Sequence, residues 1–409
     1  MPTVIVRNLA IAYAVMVVLF VLLLLAAFSI PSEKIRQNAI SYSETLYEEG
    51  LYPKYLGLSF LQRDNFTESW MLGIAFSDDS EPFARRVLLN PSFVSIELSD
   101  SPLGGLKYIE GESEGLQKIY YGRYWHGYQS ILRPMLLLTD VRGIRLLNWI
   151  LFLLLVTWVS YMLYRRISFL ASLSFLILIL ATTIPSVPSC LQYFTCYALS
   201  MIAAGLILSL KSLSEGIDKV ALLFFITGGT TSFLDLLSTP LLTLGLPLAI
   251  CLIVNDYNDK AKITALMIVL WFGGYLSIWC TKWIIASLFT DMDIVRDAIS
   301  AVRIRVGEPT GPFGVAYLVE RLMPYTMWIV VCVSLVTIGM IVIHRRFNLS
   351  FPQKKDELFG LLIVILIVPG WYLLTRNHSL VHWWFSWRSL LVTLFAITLL
   401  VRPSTVVRR

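Results

Sequence analysis

Charge is what this sequence has least of. Asp, Glu, Lys and Arg make up 15% of its 409 residues, against about 25% in ordinary soluble domains. Hydrophobic residues fill 57% of the chain. That balance excludes a soluble enzyme of this length, and equally a disordered or collagen-like chain. The five cysteines form no disulfide framework and no CxxC metal knuckle. Cys190 and Cys196 stand close enough in sequence to pair, but inside apolar runs they read as small apolar fillers. Soluble catalytic signatures are missing too: there is no Walker A loop, no GxSxG elbow, no HExxH and no dinucleotide-binding glycine fingerprint. No basic stripe stands apart from a membrane boundary, so nucleic acid is not an expected partner. No internal repeat of the transporter kind is visible.

What is present is a series of long apolar runs. A membrane-spanning helix needs about 20 such residues, and runs of this kind lie near 8–30, 143–164, 167–185, 193–210, 219–237, 240–254, 263–284, 324–343, 358–375 and 388–401. The expectation is an all-α polytopic membrane protein of about ten transmembrane helices, with 240–254 and 388–401 the shortest. The first run ends in Ala26–Ala27–Phe28–Ser29, which faintly resembles a signal-peptidase site. Its apolar stretch is longer than a usual signal peptide's, which favours a retained anchor. Residues 31–141 carry 15 acids and 10 bases, a net of −5, leaving +11 on the rest of the chain. Arg165–Arg166, Lys211 with Lys219, Lys260 with Lys262, Arg345–Arg346 and the Arg402–Arg409 tail occupy one set of alternate loops. By the positive-inside rule both termini are then cytoplasmic and residues 31–141 form one large outer loop.

The chain accordingly divides into a first helix at 1–30, the outer loop at 31–141 and helices two to seven at 142–284. A second outer segment follows at 285–323, then three more helices and the tail at 324–409. Within 285–323, Ile294, Ala298, Val302, Ile299 and Val306 recur at helical spacing, predicting an amphipathic helix on the membrane surface. The Gly307–Gly314 stretch ends it.

Ionisable groups at a bilayer boundary are costly and mark sites; here four outer-face clusters stand out. Asp64 and Glu68, four residues apart, share a face if helical, as a general base with its helper or as joint ligands of a divalent cation. Alternatively Asp64 caps a helix and Glu68 faces water. Arg123, Trp125, His126 and Arg133 lie in a tyrosine-rich stretch suited to stacking on sugars and holding phosphate, or to an interfacial aromatic belt. Asp235 sits in a hydroxyl-rich junction before Pro240, as an active-site acid or as one half of a salt bridge to an outer arginine. Arg376, His378, His382 and Arg388 flank a tryptophan cluster. The two histidines are spaced to share a metal but have no third ligand, and the arginines suit phosphate. Arg303 and Arg321 are further phosphate candidates. Asn65–Phe66–Thr67 and Asn377–His378–Ser379 match glycosylation sequons.

A large outer loop after the first span, carrying an acidic motif and followed by a many-helix bundle, resembles the GT-C superfamily of membrane glycosyltransferases. The stretches Asp64–Asn65–Phe66–Thr67–Glu68, Arg123–Tyr124–Trp125–His126–Gly127–Tyr128, Ser232–Phe233–Leu234–Asp235 and Asn377–His378–Ser379–Leu380–Val381–His382 are similar to those of a bacterial multi-span group of that type. The resemblance implies a sugar transferred, with inversion, from a polyprenyl-phosphate carrier to a cell-envelope glycan or lipid acceptor on the outer face of a bacterial inner membrane. It also implies that an acidic residue of the first outer loop is the base, which here is Asp64, with Glu68 second. The rival expectations are a transporter or flippase of lipid-linked glycans and a polysaccharide polymerase or ligase. The middle spans are nearly free of charge, which favours chemistry at one face over passage.

Overall fold

The computed structural model describes residues 2–58, 61–76, 79–96, 104–214, 216–307, 316–317, 319–320, 323, 349–350, 354–400 and 402–403. Helix α1 (Pro2–Phe28) is apolar from Leu9 to its end, with Arg7 and Asn8 before that run. A subdomain follows, called outer after the side expected for it, built from α2 (Ser32–Glu49), α3 (Asn65–Ala75), α4 (Phe83–Leu89), β1 (Pro91–Ser95), α5 (Gly104–Glu110), β2 (Leu116–Tyr120) and α6 (Gln129–Leu136). The bundle then continues through α7 (Val141–Arg166), α8 (Phe169–Thr183), α9 (Leu191–Ser209), the short α10 (Lys211–Ser214), α11 (Ile217–Leu234), α12 (Leu242–Val254) and α13 (Lys260–Phe289). After α14 (Ile294–Val306) the described helices are α15 (Lys355–Leu374), α16 (Arg376–Val381), α17 (Trp383–Ser386) and α18 (Leu390–Leu400).

Among the described residues, seven segments are long and apolar enough to cross a membrane: α1, α7, α9, α11, α13, α15 and the stretch Trp383–Leu400. The chain is therefore mostly helical and polytopic. The expected runs at 167–185 and 240–254 form the shorter apolar helices α8 and α12. The run at 324–343 lies outside the described residues. Among the described residues, the departures from an all-helical chain include two small antiparallel ladders. In the outer subdomain β1 pairs with β2 from Pro91↔Tyr120 to Ser95↔Leu116. A second ladder pairs β3 (Leu349–Ser350) with β4 (Arg402–Pro403).

Local sequence explains where the helices begin. Asp64, Asp140, Ser168, Asp259 and Asp293 each accept from a backbone N–H in the first turn of α3, α7, α8, α13 and α14, satisfying donors that a helix start leaves open. The tightest helix pair is α11 with α13. A Cβ added at Gly228 would lie 2.0 Å from the Trp271 carbonyl oxygen, and one at Gly274 2.0 Å from that of Phe225. Small residues here let two backbones touch, which is how helices associate where lipid offers no hydrophobic drive.

Two buried cations fasten the ends of the bundle. Lys260 meets Glu357 at 2.8 Å and the Leu252 carbonyl at 2.5 Å, tying α12, α13 and α15 together at the end far from the outer subdomain. At the near end, Arg133 of α6 is fully buried. Its Nε donates to the Ala27 carbonyl at 2.9 Å, and its two Nη groups donate to the carbonyls of Ala75 and Ile30. This guanidinium closes the C-terminal ends of α1 and α3, whose last carbonyls have no helical partner. Arg133 is thus spent on the backbone, which corrects its expected role at phosphate.

Candidate functional site

Between the outer subdomain and the near ends of the bundle lies a cavity of about 500 Å³. One wall is the face of α3 that carries Phe66, Thr67, Trp70 and Ile74, with Asp64 at its head. Opposite are the loop after β2, the first turn of α9, Leu236 at the α11–α12 junction, Arg305 of α14, and His378, His382 and Trp384 from the turns after α15. Among the described residues Asp64 is the only acid in this lining. The site therefore draws on all four sequence clusters, although not on every residue nominated in them.

Asp64 both caps its helix and lines the cavity. Its carboxylate accepts from the Thr67 N–H at 3.0 Å and from the Thr67 hydroxyl at 2.6 Å, and it is 1% exposed. Burial raises its pKa to about 7; the two Thr67 hydrogen bonds oppose that shift, the neighbouring Glu68 adds to it, and the Arg388 charge opposes it. Glu68 does not share the cavity. Its carboxylate accepts from Tyr42 Oη at 2.8 Å and from the Leu191 N–H at 2.5 Å, and lies 3.5 Å from Arg145. The expected helical pair exists, but its two carboxylates serve different partners, which removes the basis for a shared divalent cation. Among the described residues no group of three or more His, Cys, Asp or Glu side chains could hold a metal ion.

The loop after β2 is clamped onto the bundle. Trp279 and Trp283 of α13 both donate to the Arg123 carbonyl, at 2.8 and 2.9 Å. Gly127 donates its N–H to the Phe233 carbonyl at 2.8 Å, and a Cβ there would sit 2.5 Å from Phe233 atoms. Trp125 is fully buried, packs against Phe20 and Phe233, and donates its indole N–H to the Ile278 carbonyl at 2.8 Å. It anchors the loop and does not line the cavity, a correction to its expected substrate role. His126 lines the cavity with both ring nitrogens committed. Because a carbonyl can only accept, Nε2 donates to Tyr121 O at 2.9 Å, leaving Nδ1 to accept from Tyr128 Oη at 2.9 Å. Burial lowers its pKa to about 3, so the ring is neutral.

Two arginines remain in the lining. The Arg123 guanidinium lies 4.3 Å over the Tyr121 ring and reaches Asp297 at 3.3 Å, while its buried Nε has no partner. Arg305 donates to Tyr124 Oη at 2.9 Å, and Tyr121 and Tyr124 meet edge to face. The sequence reading nominated Arg303 instead. Arg303 is exposed, because two residues apart on a helix means nearly opposite faces. Arg305 follows Ile294 by about three full turns, on the stripe where Ile294 and Ala298 are buried. That register was the available signal, and counting charges alone missed it. The helix also turns Ile294 and Ala298 toward protein, while Ile299, Ile304 and Val306 stay exposed.

Comparison with protein families, with curated proteins and with solved structures finds no match to this chain.

The remaining nominees separate by geometry. His378 donates from Nε2 to the Leu237 carbonyl at 3.2 Å, and its ring centroid lies 4.7 Å from that of His382. Burial, aided by nearby Arg305, lowers the His382 pKa to about 4. Asp235 is buried outside the lining. It accepts from Ser238 N at 2.9 Å and from the Ser238 hydroxyl, which is neither the salt bridge to an outer arginine nor the place in the cavity that the sequence left open for it. Arg376 is half-buried outside the lining. Arg388 is fully buried behind Asp64, stacked 4.7 Å over Tyr193, and donates to the carbonyls of Trp384 and Gln62 at 3.3 Å. Its charge reaches Asp64 but its fork is engaged with backbone, which corrects its assignment to phosphate. Cys190 and Cys196 are free and buried. Arg321 lies outside the described residues.

Proposed function

We propose that this protein is a membrane glycosyltransferase of GT-C type, moving a sugar from a polyprenyl-phosphate donor to a glycan or lipid acceptor at the outer face of a bacterial inner membrane. The observation that carries this reading is one cavity holding a single carboxylate, raised to about 7 by burial, beside two arginines and aromatic walls. A base with a pKa near the working pH combines a usable fraction of the free carboxylate with real proton affinity. Arg123 and Arg305 suit a phosphate that gains charge as it leaves, and the unpartnered Arg123 Nε is one of the donors such an anion would take.

In the step this implies, the acceptor hydroxyl oxygen attacks the anomeric carbon and the bond from that carbon to the phosphate oxygen breaks. The bonding pair leaves with the polyprenyl phosphate, and the hydroxyl proton passes to Asp64. Attack from the face opposite the leaving group inverts the anomeric centre. The neutral His126, whose two nitrogens are occupied, forms wall and not base. The test is binding of farnesyl phosphate to the purified protein. Arg123→Lys and Arg305→Lys keep the charge and lose the planar fork, so each should weaken binding by roughly 10- to 100-fold. Unchanged affinity in both variants would remove the phosphate from this cavity.

A further inference from the structure

Gln192 is a polar group of the cavity that the transfer chemistry leaves unused. It lines the cavity, is 6% exposed, and its enclosed amide oxygen has no hydrogen-bond partner. Buried polar groups are nearly always paired, and an exception calls for a reason. The turn that carries it is held firmly. Cys190, at the N-cap of α9, offers no side-chain cap, and Glu68 supplies one from α3 by accepting the Leu191 N–H at 2.5 Å. Tyr42 and Arg145 fix Glu68 in turn. On the other side the Ser238 hydroxyl, bound by Asp235, lies 3.5 Å from the Gln192 carbonyl. Two acids that sequence alone offers as catalytic thus frame the turn presenting this amide.

The charge of the lining narrows what the amide can read. Beyond Asp64, Arg123 and Arg305, the described polar groups are Thr67, Gln192, tyrosines, histidines and the uncharged indole N–H groups of Trp70 and Trp384, and burial keeps His126 and His382 neutral near pH 7. A cationic amino sugar would call for a second acid, and a uronic acid for a third cation; the described lining has neither. Tyr52, Trp70 and Trp384 give flat faces for the C–H side of a sugar ring.

We infer that Gln192 is the specificity-determining residue for an uncharged, hydroxyl-bearing sugar, its carboxamide exchanging hydrogen bonds with ring hydroxyls beside Asp64, and that Glu68 is its positioning residue. This rests on the glycosyltransferase reading. The test measures binding of farnesyl phosphate and of its glucosyl, galactosyl, mannosyl, glucosaminyl and glucuronosyl conjugates to the solubilised full chain. At least one neutral conjugate should bind roughly tenfold tighter than farnesyl phosphate, and neither charged conjugate should. Gln192→Met should erase that preference, and Gln192→Asn, a milder change, should reduce it, with melting temperatures checked for both. Glu68→Leu should erase it too, whereas Glu68→Gln, which keeps an oxygen for the Leu191 N–H, should restore it. A gain that survives in Gln192→Met, a preference for a charged sugar, or no gain from any sugar overturns the assignment. Failure of farnesyl phosphate itself to bind overturns the glycosyltransferase reading and this inference with it.

Discussion

Asp64 and Arg133 show how a buried ionisable side chain can serve a site or a scaffold, depending on what surrounds it. Both are buried and both bind backbone groups, yet only Asp64 lines open volume. Its pKa, raised to about 7 by burial, fixes the sign of its pH dependence. The carboxyl is protonated below that value and ionised above it. A hydrophobic carbodiimide, which adds to protonated carboxyls, should therefore label Asp64 below pH 7 and lose reactivity as the pH rises through about 7. Labelling that is already lost by pH 5 would mean an ordinary carboxylate and a poor base. Arg133→Met leaves the carbonyls of Ala75 and Ile30 without their donor, and that of Ala27 with only the Ile30 N–H at 3.2 Å. At about 1–3 kcal/mol for each buried group left unsatisfied, it should destabilise the fold by several kcal/mol in thermal or denaturant unfolding. A variant with wild-type stability would contradict the scaffold role.

At the level of elements, the sequence was most legible where a residue's face could be read and least where a partner came from afar. Asp64 is the N-cap of α3, as one of the two alternatives for the Asp64–Glu68 pair had it, but Glu68 is buried and does not face water. That Glu68 would cap α9 was hidden, because Cys190 shows no signal that its helix borrows an acid 123 residues earlier. Arg305 could have been found from the buried stripe of α14, whereas Trp125 and Arg388 needed three-dimensional neighbours to reveal them as packed anchors. The α14 register makes a sharp pair of expectations. Arg305→Lys should weaken donor binding and Arg303→Lys should leave it at the wild-type value, measured side by side with farnesyl phosphate. Equal losses in the two would mean that α14 acts only as a diffuse positive surface.

For the whole molecule, hydropathy supplied nearly all of the plan. Each described apolar run is a helix, and the large loop closes over one end of the bundle, because length and lack of charge alone decide which segments suit lipid. What hydropathy cannot give is how far each helix extends, so α8 and α12 came out shorter than a usual span. The orientation we propose, with residues 31–141 outside, rests on the Lys and Arg distribution: a cysteine placed at Ser113 should react with an impermeant maleimide in intact cells, and reaction only after permeabilisation would invert the account. The cavity itself was not written in any one segment, since its described walls come from seven separate stretches of chain. Its chemistry is tested most directly by sugar transfer from the polyprenyl-phosphate pool of membrane vesicles carrying wild type, Asp64→Asn or Asp235→Asn. Asn keeps the shape and the cap, so Asp64→Asn should fold, bind donor and transfer about 10²–10⁴-fold more slowly, while Asp235→Asn, outside the cavity, should retain far more of the rate. Transfer near the wild-type rate in Asp64→Asn, with loss in Asp235→Asn, would place the base at the α11–α12 junction and contradict the account.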